Sequence, residues 1–293
     1  MPRANIGPLA LNYIEHGSGD NVVLAVHGNL GCHNWLGLAL PLFPKDVRVI
    51  AVDWRGCGDS DKPEPTKDYS NYSMDTHARD MLALLDTLGI GNCNLYGHST
   101  GGIIIAHMLM MQPERFKKVL LLDPVTPLGL QLAPGQVGVI TQMKGDSDVA
   151  FAGLASAAPT LFRPETMVAG QMPQFADTAA PPQRELFKTI IEKTKLLSDG
   201  IWFGTPHNLA LEWDSGKLAA KMPEMRHETL VLYGKLDYWI PREHVDTMVA
   251  KLPNAKLEVF PYVGHSMNLE QPFLFARIFS DYFRSAPEAG ATG

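Results

Sequence analysis

Gly97-His98-Ser99-Thr100-Gly101 decides how the rest of the chain is read. It follows an apolar run, 94–96, that reads as a buried strand, and it opens a segment that reads as a helix ending before Pro113. A serine placed there sits on a sharp strand-to-helix turn in a strained backbone conformation, which costs about 1–3 kcal/mol. Small residues two positions to either side, here Gly97 and Gly101, let such a turn close without clashes. The turn lifts the Ser99 hydroxyl above the sheet, at the positive end of the following helix. A glycine-rich turn with a capping serine has the same letters, so the partners of Ser99 must decide between the two readings.

A serine hydroxyl is a weak nucleophile; it needs a base, and the base needs a carboxylate to orient it. The C-terminal segment supplies both in that order. The strand-like run 230–233 leads into Gly234-Lys235-Leu236-Asp237, and the run 256–260 leads towards Gly264-His265. Each candidate stands just past the C-terminal end of a strand, where open α/β sheets place their ligands. Asp123 offers a second carboxylate at the end of the run 118–123; its plainer reading is a strand-end cap before Pro124, and Asp237 has the fuller local motif.

Outward from these points, strand-like and helix-like segments alternate, which predicts an α/β domain with a mostly parallel, doubly wound sheet. The runs 11–15 and 22–27, separated by Gly17-Ser18-Gly19-Asp20, read as an opening hairpin pair, and 47–53 as a third strand. Met74, Ala78, Met81, Leu82, Leu85 and Leu88 recur at helical spacing behind Ser73, a suitable N-cap. Residues 124–227 differ in texture. They are rich in proline, contain no clear strand, and carry one distinct helix between Pro182 and Gly200. The α/β pattern resumes with 229–233, a helix around 245–252, the strand 256–260 and a final helix from Pro272 to Phe283. The expected organisation is one core built from 1–123 and 228–293, with 124–227 inserted as a helical cap.

The whole chain has 293 residues, 45% hydrophobic and 19% charged, with a formal net charge of −6. That balance, without a basic run, argues against nucleic acid or an anionic membrane as partner. No apolar run approaches the roughly 20 residues of a membrane helix, and the N-terminus lacks the pattern of a secretion signal. Cys32, Cys57 and Cys93 are widely spaced and form no CxxC pair, so they read as reduced thiols and the expected location is cytoplasmic. No nucleotide-binding glycine motif and no zinc-ligand spacing of histidines is present; neither a cofactor nor a metal is expected.

Taken together, His27-Gly28-Asn29, the turn Asp53-Trp54-Arg55-Gly56-Cys57-Gly58-Asp59-Ser60, the elbow at Ser99, Gly234 with Asp237 and Pro241, and Gly264-His265 resemble the α/β-hydrolase fold superfamily. The resemblance covers both flanks of the insertion. It implies the triad Ser99, Asp237 and His265, and an oxyanion hole made by the backbone N–H groups of Asn29 and Thr100. It assigns His27, His98, Asp53 and Arg55 to bracing the site rather than to chemistry, and it allows Asp123 as the alternative acid used by some members.

The reaction implied is hydrolysis of a small, largely apolar carboxylic ester or lactone through an acyl-enzyme on Ser99. Carbon–carbon bond hydrolases share the fold and triad, but an aromatic residue usually follows their histidine, whereas this chain reads His265-Ser266-Met267-Asn268. Aminopeptidases of the fold and slow-turnover ligand receptors are further alternatives; a serine nucleophile excludes haloalkane dehalogenases and epoxide hydrolases. The insertion is rich in aromatic residues, Phe151, Phe162, Phe175, Phe187, Trp202, Phe203 and Trp213. Most are expected to pack its own core, with Trp202 and Trp213 the first candidates for the substrate pocket.

Overall fold

The computed structural model describes residues 2–284. The strands are β1 (Arg3–Ile6), β2 (Leu9–His16), β3 (Asn21–Val26), β4 (Val47–Val52), β5 (Cys93–His98), β6 (Phe116–Leu122), β7 (Glu228–Gly234) and β8 (Ala255–Phe260). They form one sheet in the order β1-β2-β4-β3-β5-β6-β7-β8. From β4 to β8 all neighbours are parallel, while β2 pairs antiparallel with both β1 and β4. This is the α/β-hydrolase architecture that the sequence predicts.

The opening hairpin is corrected. Residues 11–15 and 22–27 do become strands, but β4 lies between them, and the hairpin partner of β2 is β1. The turn after β2 thus carries the chain across a neighbour instead of back alongside itself.

Alternate residues of each central strand face opposite layers, as the pleat requires. Leu24 and Val26 join the cluster covered by α1 (Met74–Thr87), α2 (Gly101–Met111) and α8 (Arg242–Lys251), through Met81, Ile104 and Met248. Val23 and Ala25 join the cluster covered by α10 (Pro272–Arg284), through Phe275, Phe279 and Phe283. A strand buried on both faces reads as a continuous apolar run, which is why these segments stood out in the sequence. Helix α1 begins where expected, with the Ser73 hydroxyl accepting from the N–H of Thr76 at 3.1 Å. Helix α10 starts with Pro272 at its first position and presents its phenylalanines at four-residue spacing.

Between β6 and β7 the described chain forms helices and turns, with only one isolated bridge, Phe162 to Phe175. Its helices are α3 (Pro134–Gly145), α4 (Ser147–Ala155), α5 (Pro181–Thr194), α6 (Thr205–Ser215) and α7 (Lys217–Ala220). The helix expected between Pro182 and Gly200 starts at Pro181 but ends at Thr194; Gly200–Gly204 is instead a π-helical turn leading into α6. Phe151, Phe162, Phe175 and Phe187 pack edge-on and stacked at 4.7–6.0 Å between centroids, an aromatic cluster continuous with the core on that side of the sheet. Among the described residues no helix is long and apolar enough to cross a membrane. All three cysteines are buried and unpaired.

Candidate active site

Ser99 follows the last residue of β5 with φ of 53°, in the left-handed region that non-glycine residues avoid. The strain is held by its backbone: its N–H donates to Leu122 O at 3.0 Å, and its carbonyl accepts from Gly102 and Val125 at 2.9 and 2.8 Å. The glycine requirement is steric. A Cβ on Gly101 would lie 2.3 Å from Val26 O, and one on Gly97 would lie 2.7 Å from Ile105 Cδ1 and 3.0 Å from the backbone of Gly101.

The loops after β7 and β8 bring the other two candidates together. His265 Nδ1–H donates to Asp237 Oδ2 at 2.8 Å, and both side chains are almost wholly buried. Asp237 Oδ1 accepts from the N–H groups of Trp239 and Ile240 at 2.6 and 3.2 Å, which anchors the carboxylate beside the ring. This bond places the proton on Nδ1 and leaves Nε2 as the free base. His265 and Ser99 line the same cavity.

Asn29 and Thr100 line that cavity too. Among the described residues neither backbone N–H has an acceptor. Two unmatched donors beside a nucleophile are what an oxyanion hole requires. The approach is tight at Gly28, where a Cβ would lie 2.7 Å from Ser99 Cβ.

The bracing residues fall where the sequence reading put them. His27 donates from Nδ1 to Gly28 O at 2.7 Å, accepts from Trp54 N–H at 3.4 Å through Nε2, and stacks on Trp54 at 4.6 Å. Burial lowers its pKa to about 4, so it stays neutral. Asp53 takes two bonds from His33 and one each from Asn12 and Asp59; although burial opposes it, His33 and then His27 hold its carboxyl below the usual carboxylate range. Arg55 grips Asp80 through two nitrogens at 2.5 Å. His98 donates from Nε2 to the carbonyl of His265 at 2.8 Å, and burial, then the neighbouring His265, push its pKa well down.

Three residues that the sequence reading passed over also shape the site. Trp35 and Trp239 line the cavity, and Trp239 Nε1 donates to Ser156 Oγ at 3.0 Å. Glu270, five residues beyond the histidine, accepts from the N–H of Gly264 at 2.8 Å and so holds the loop that carries His265. Its nearness to His265 was the only signal.

Trp202 and Trp213 are corrected as pocket residues. Neither lines the cavity around Ser99. Trp213 is 39% exposed and stacks on His244 at 4.9 Å, because its face of α6 turns to α8 rather than to the sheet. Trp202 is buried in the π-helical turn and borders a second, outer cavity with Phe203 and Ala210. The outer cavity shares Leu132, Ile140 and Pro206 with the one around Ser99. The inserted segment reaches the inner cavity through small and aliphatic side chains instead, among them Leu130, Ile140, Leu154 and Leu209.

Asp123, Asp237 and His265 offer donor atoms within 4.8 Å of one another. The direct Nδ1–H to Oδ2 bond marks them as a hydrogen-bonded relay rather than a chelating set.

A sheet of this order with a strained serine after β5 and a paired Asp and His after β7 and β8 defines a class, and the sequence profile of the alpha/beta hydrolase fold matches residues 21–272. The chain belongs to that family. It is 26% identical over 287 residues to a 2-hydroxy-6-oxononadienedioate/2-hydroxy-6-oxononatrienedioate hydrolase of Burkholderia vietnamiensis, covering 94% of this chain and 91% of the relative. Among solved structures it resembles an esterase of Exiguobacterium antarcticum, with a TM-score of 0.72 at 24% identity over 94% of this chain and 96% of that one. It also resembles Est816, an N-acyl homoserine lactone degrading enzyme, with a TM-score of 0.73 at 22% identity over 96% and 100% of the two chains. The structural likenesses bear on the fold alone.

Proposed function

We propose that this hydrolase cleaves a neutral, largely apolar carboxylic ester or lactone through an acyl-enzyme on Ser99, with residues 124–227 acting as its cap. The observation that carries this reading is the lining of the cavity. Apart from Ser99, Thr100, Asn29, His98 and His265, every side chain or glycine facing it is apolar, and among the described residues no Lys or Arg lines it.

In this mechanism His265 Nε2 takes the proton of Ser99 Oγ as that oxygen attacks the acyl carbon. The carbonyl oxygen becomes an oxyanion held by the N–H groups of Asn29 and Thr100, while Asp237 steadies the imidazolium. Collapse expels the alkoxide, which takes the proton from His265. Water then repeats the sequence on the acyl-enzyme and releases the acid.

A second reading is supported by the Burkholderia relative, whose name specifies a dienedioate substrate. Such a substrate carries two carboxylates, and burying them without a cation is costly. The cation-free lining therefore favours a neutral ester over that dianion.

The test is kcat/KM for short p-nitrophenyl esters and simple lactones, beside a 2-hydroxy-6-oxo-dienedioate, with mass spectrometry of the protein after a fluorophosphonate probe. Ester or lactone turnover and a probe adduct on Ser99 support the reading. Turnover of the dienedioate alone overturns it.

A further inference from the structure

The end of β6 delivers a second carboxyl group to the site. Asp123 is fully buried, has φ of 42°, and its N–H donates to Leu232 O at 2.9 Å. Its Oδ1 accepts from the N–H of Gly234 at 2.8 Å. Its Oδ2 is sealed from solvent and, among the described residues, no donor reaches it. A carboxylate oxygen of Asp237 and a ring nitrogen of His265 lie within 4.8 Å of one of its own carboxylate oxygens.

Two buried carboxylates this close, one of them without a donor on its inner oxygen, are not both ionised, so the pair holds a proton. Donor count decides which group carries it. Asp237 accepts from three donors, the N–H groups of Trp239 and Ile240 and His265 Nδ1–H, whereas Asp123 accepts from one. Donors stabilise the ionised form, so the charge belongs on Asp237 and the proton on Asp123. The surroundings agree. Burial first, then the charge of Asp237 and that of Glu270 from the short helix α9 (Met267–Glu270), drive the pKa of Asp123 well above the carboxylate range, against the single bond from Gly234. The other titratable groups facing it are His265, whose Nδ1–H is already given to Asp237, and Tyr96 on β5 and Tyr233 on β7, both themselves pushed up, by burial first.

We propose that Asp123 is a positioning residue: a neutral carboxylic acid whose Oδ2–H donates to Asp237 and locks the carboxylate that orients His265. The proposal rests on the triad reading above. With this fourth donor Asp237 cannot swing away from the imidazole, and a single negative charge faces His265. A second charge there would stabilise the imidazolium and blunt His265 as a base.

The experiment compares Asp123→Asn and Asp123→Ala with the unaltered protein. Asparagine keeps an acceptor for Gly234 and a donor for Asp237; alanine keeps neither. Asp123→Asn is expected to retain kcat within about threefold and the same acid limb of the pH–rate profile on a short ester. Asp123→Ala is expected to lose about tenfold in kcat at little change in KM, with the acid limb moved to higher pH as Asp237 loses a donor. Infrared difference spectra at neutral pH should show a protonated carboxylic C=O band that disappears in Asp123→Asn. Absence of that band from the unaltered protein, or a loss in Asp123→Asn as large as in Asp123→Ala, overturns the proposal. The infrared readout does not depend on turnover, so an inactive protein that keeps the band refutes the ester reading and leaves the proton where it is placed here. Should the alanine variant fail to fold, the asparagine variant and the band still decide.

Discussion

Glu270 and Thr160 stand 110 residues apart in sequence, yet one carboxylate oxygen of Glu270 accepts both the N–H of Thr160, at 3.0 Å, and its hydroxyl, at 2.7 Å. The other oxygen accepts from Gly264, next to the candidate base. One side chain therefore ties the inserted segment to the loop that carries His265. It is buried, and burial raises its pKa against the pull of those same donors.

Glu270→Ala would leave three donors without their acceptor. The expected loss is on the order of 3 kcal/mol of stability, since each buried donor left unmatched costs about 1–3 kcal/mol. Urea unfolding followed by tryptophan fluorescence measures it. A midpoint unchanged from the parent protein would show that the tie contributes nothing.

Ser99→Ala should abolish ester turnover, by a factor of roughly 10⁴ or more, as loss of a triad nucleophile does. Stability should change little, because the strained backbone is held by main-chain bonds that alanine retains. Pre-steady-state and steady-state rates on an activated ester, with thermal unfolding as control, check this. A residual rate above a few per cent removes Ser99 as nucleophile.

The outer cavity predicts a chain-length effect. Ala210→Trp should fill it and lower kcat/KM for long acyl or alkyl esters by about tenfold or more, since apolar contacts discriminate by roughly 1–3 kcal/mol per small group. Acetate esters, confined to the inner cavity around Ser99, should react at nearly the parent rate. A series of p-nitrophenyl esters from acetate to decanoate measures this, and a parallel loss across the series refutes it.

Acid should unfold the protein through its buried histidines. Burial lowers His27 to about 4 and His77 to about 3, from an ordinary value of 6.5. Below 6.5 the unfolded chain binds protons that the folded form refuses, so the stability these residues lend above 6.5 is lost as pH falls towards their folded values. By pH 5 the loss is about 2 kcal/mol for each. Neither ring nitrogen of His77 has a hydrogen-bond partner among the described residues, so His77→Leu sacrifices no bond and should flatten this slope. Unfolding free energies between pH 7 and 5 test it; an unchanged slope in the variant contradicts it.

The candidate nucleophile and its two candidate partners were legible because each is announced locally. Ser99 and Asp237 follow buried strands and His265 follows the half-exposed β8, each with a glycine close before it whose spacing needs no knowledge of tertiary contacts. Strand order was not legible at β2, because the insertion of β4 beside it is a pairing between residues such as Tyr13 and Val52, far apart in the chain. Trp202 and Trp213 misled because size and apolarity mark a residue for burial without saying which neighbour covers it. Here His244 covers Trp213, and the π-helical turn, which no sequence pattern signals, sets the direction of Trp202. Glu270 carried no motif at all; its role exists only through Thr160 and Gly264.

The four-phenylalanine cluster of the inserted segment has an evolutionary consequence. Phe151, Phe162, Phe175 and Phe187 pack on one another, and none of the four lines the cavity around Ser99. Leu130, Ile140, Leu154 and Leu209, by contrast, both line that cavity and belong to the buried core. Selection on the pocket of such a lineage therefore acts through residues that the fold also needs, while the four rings stay out of its reach.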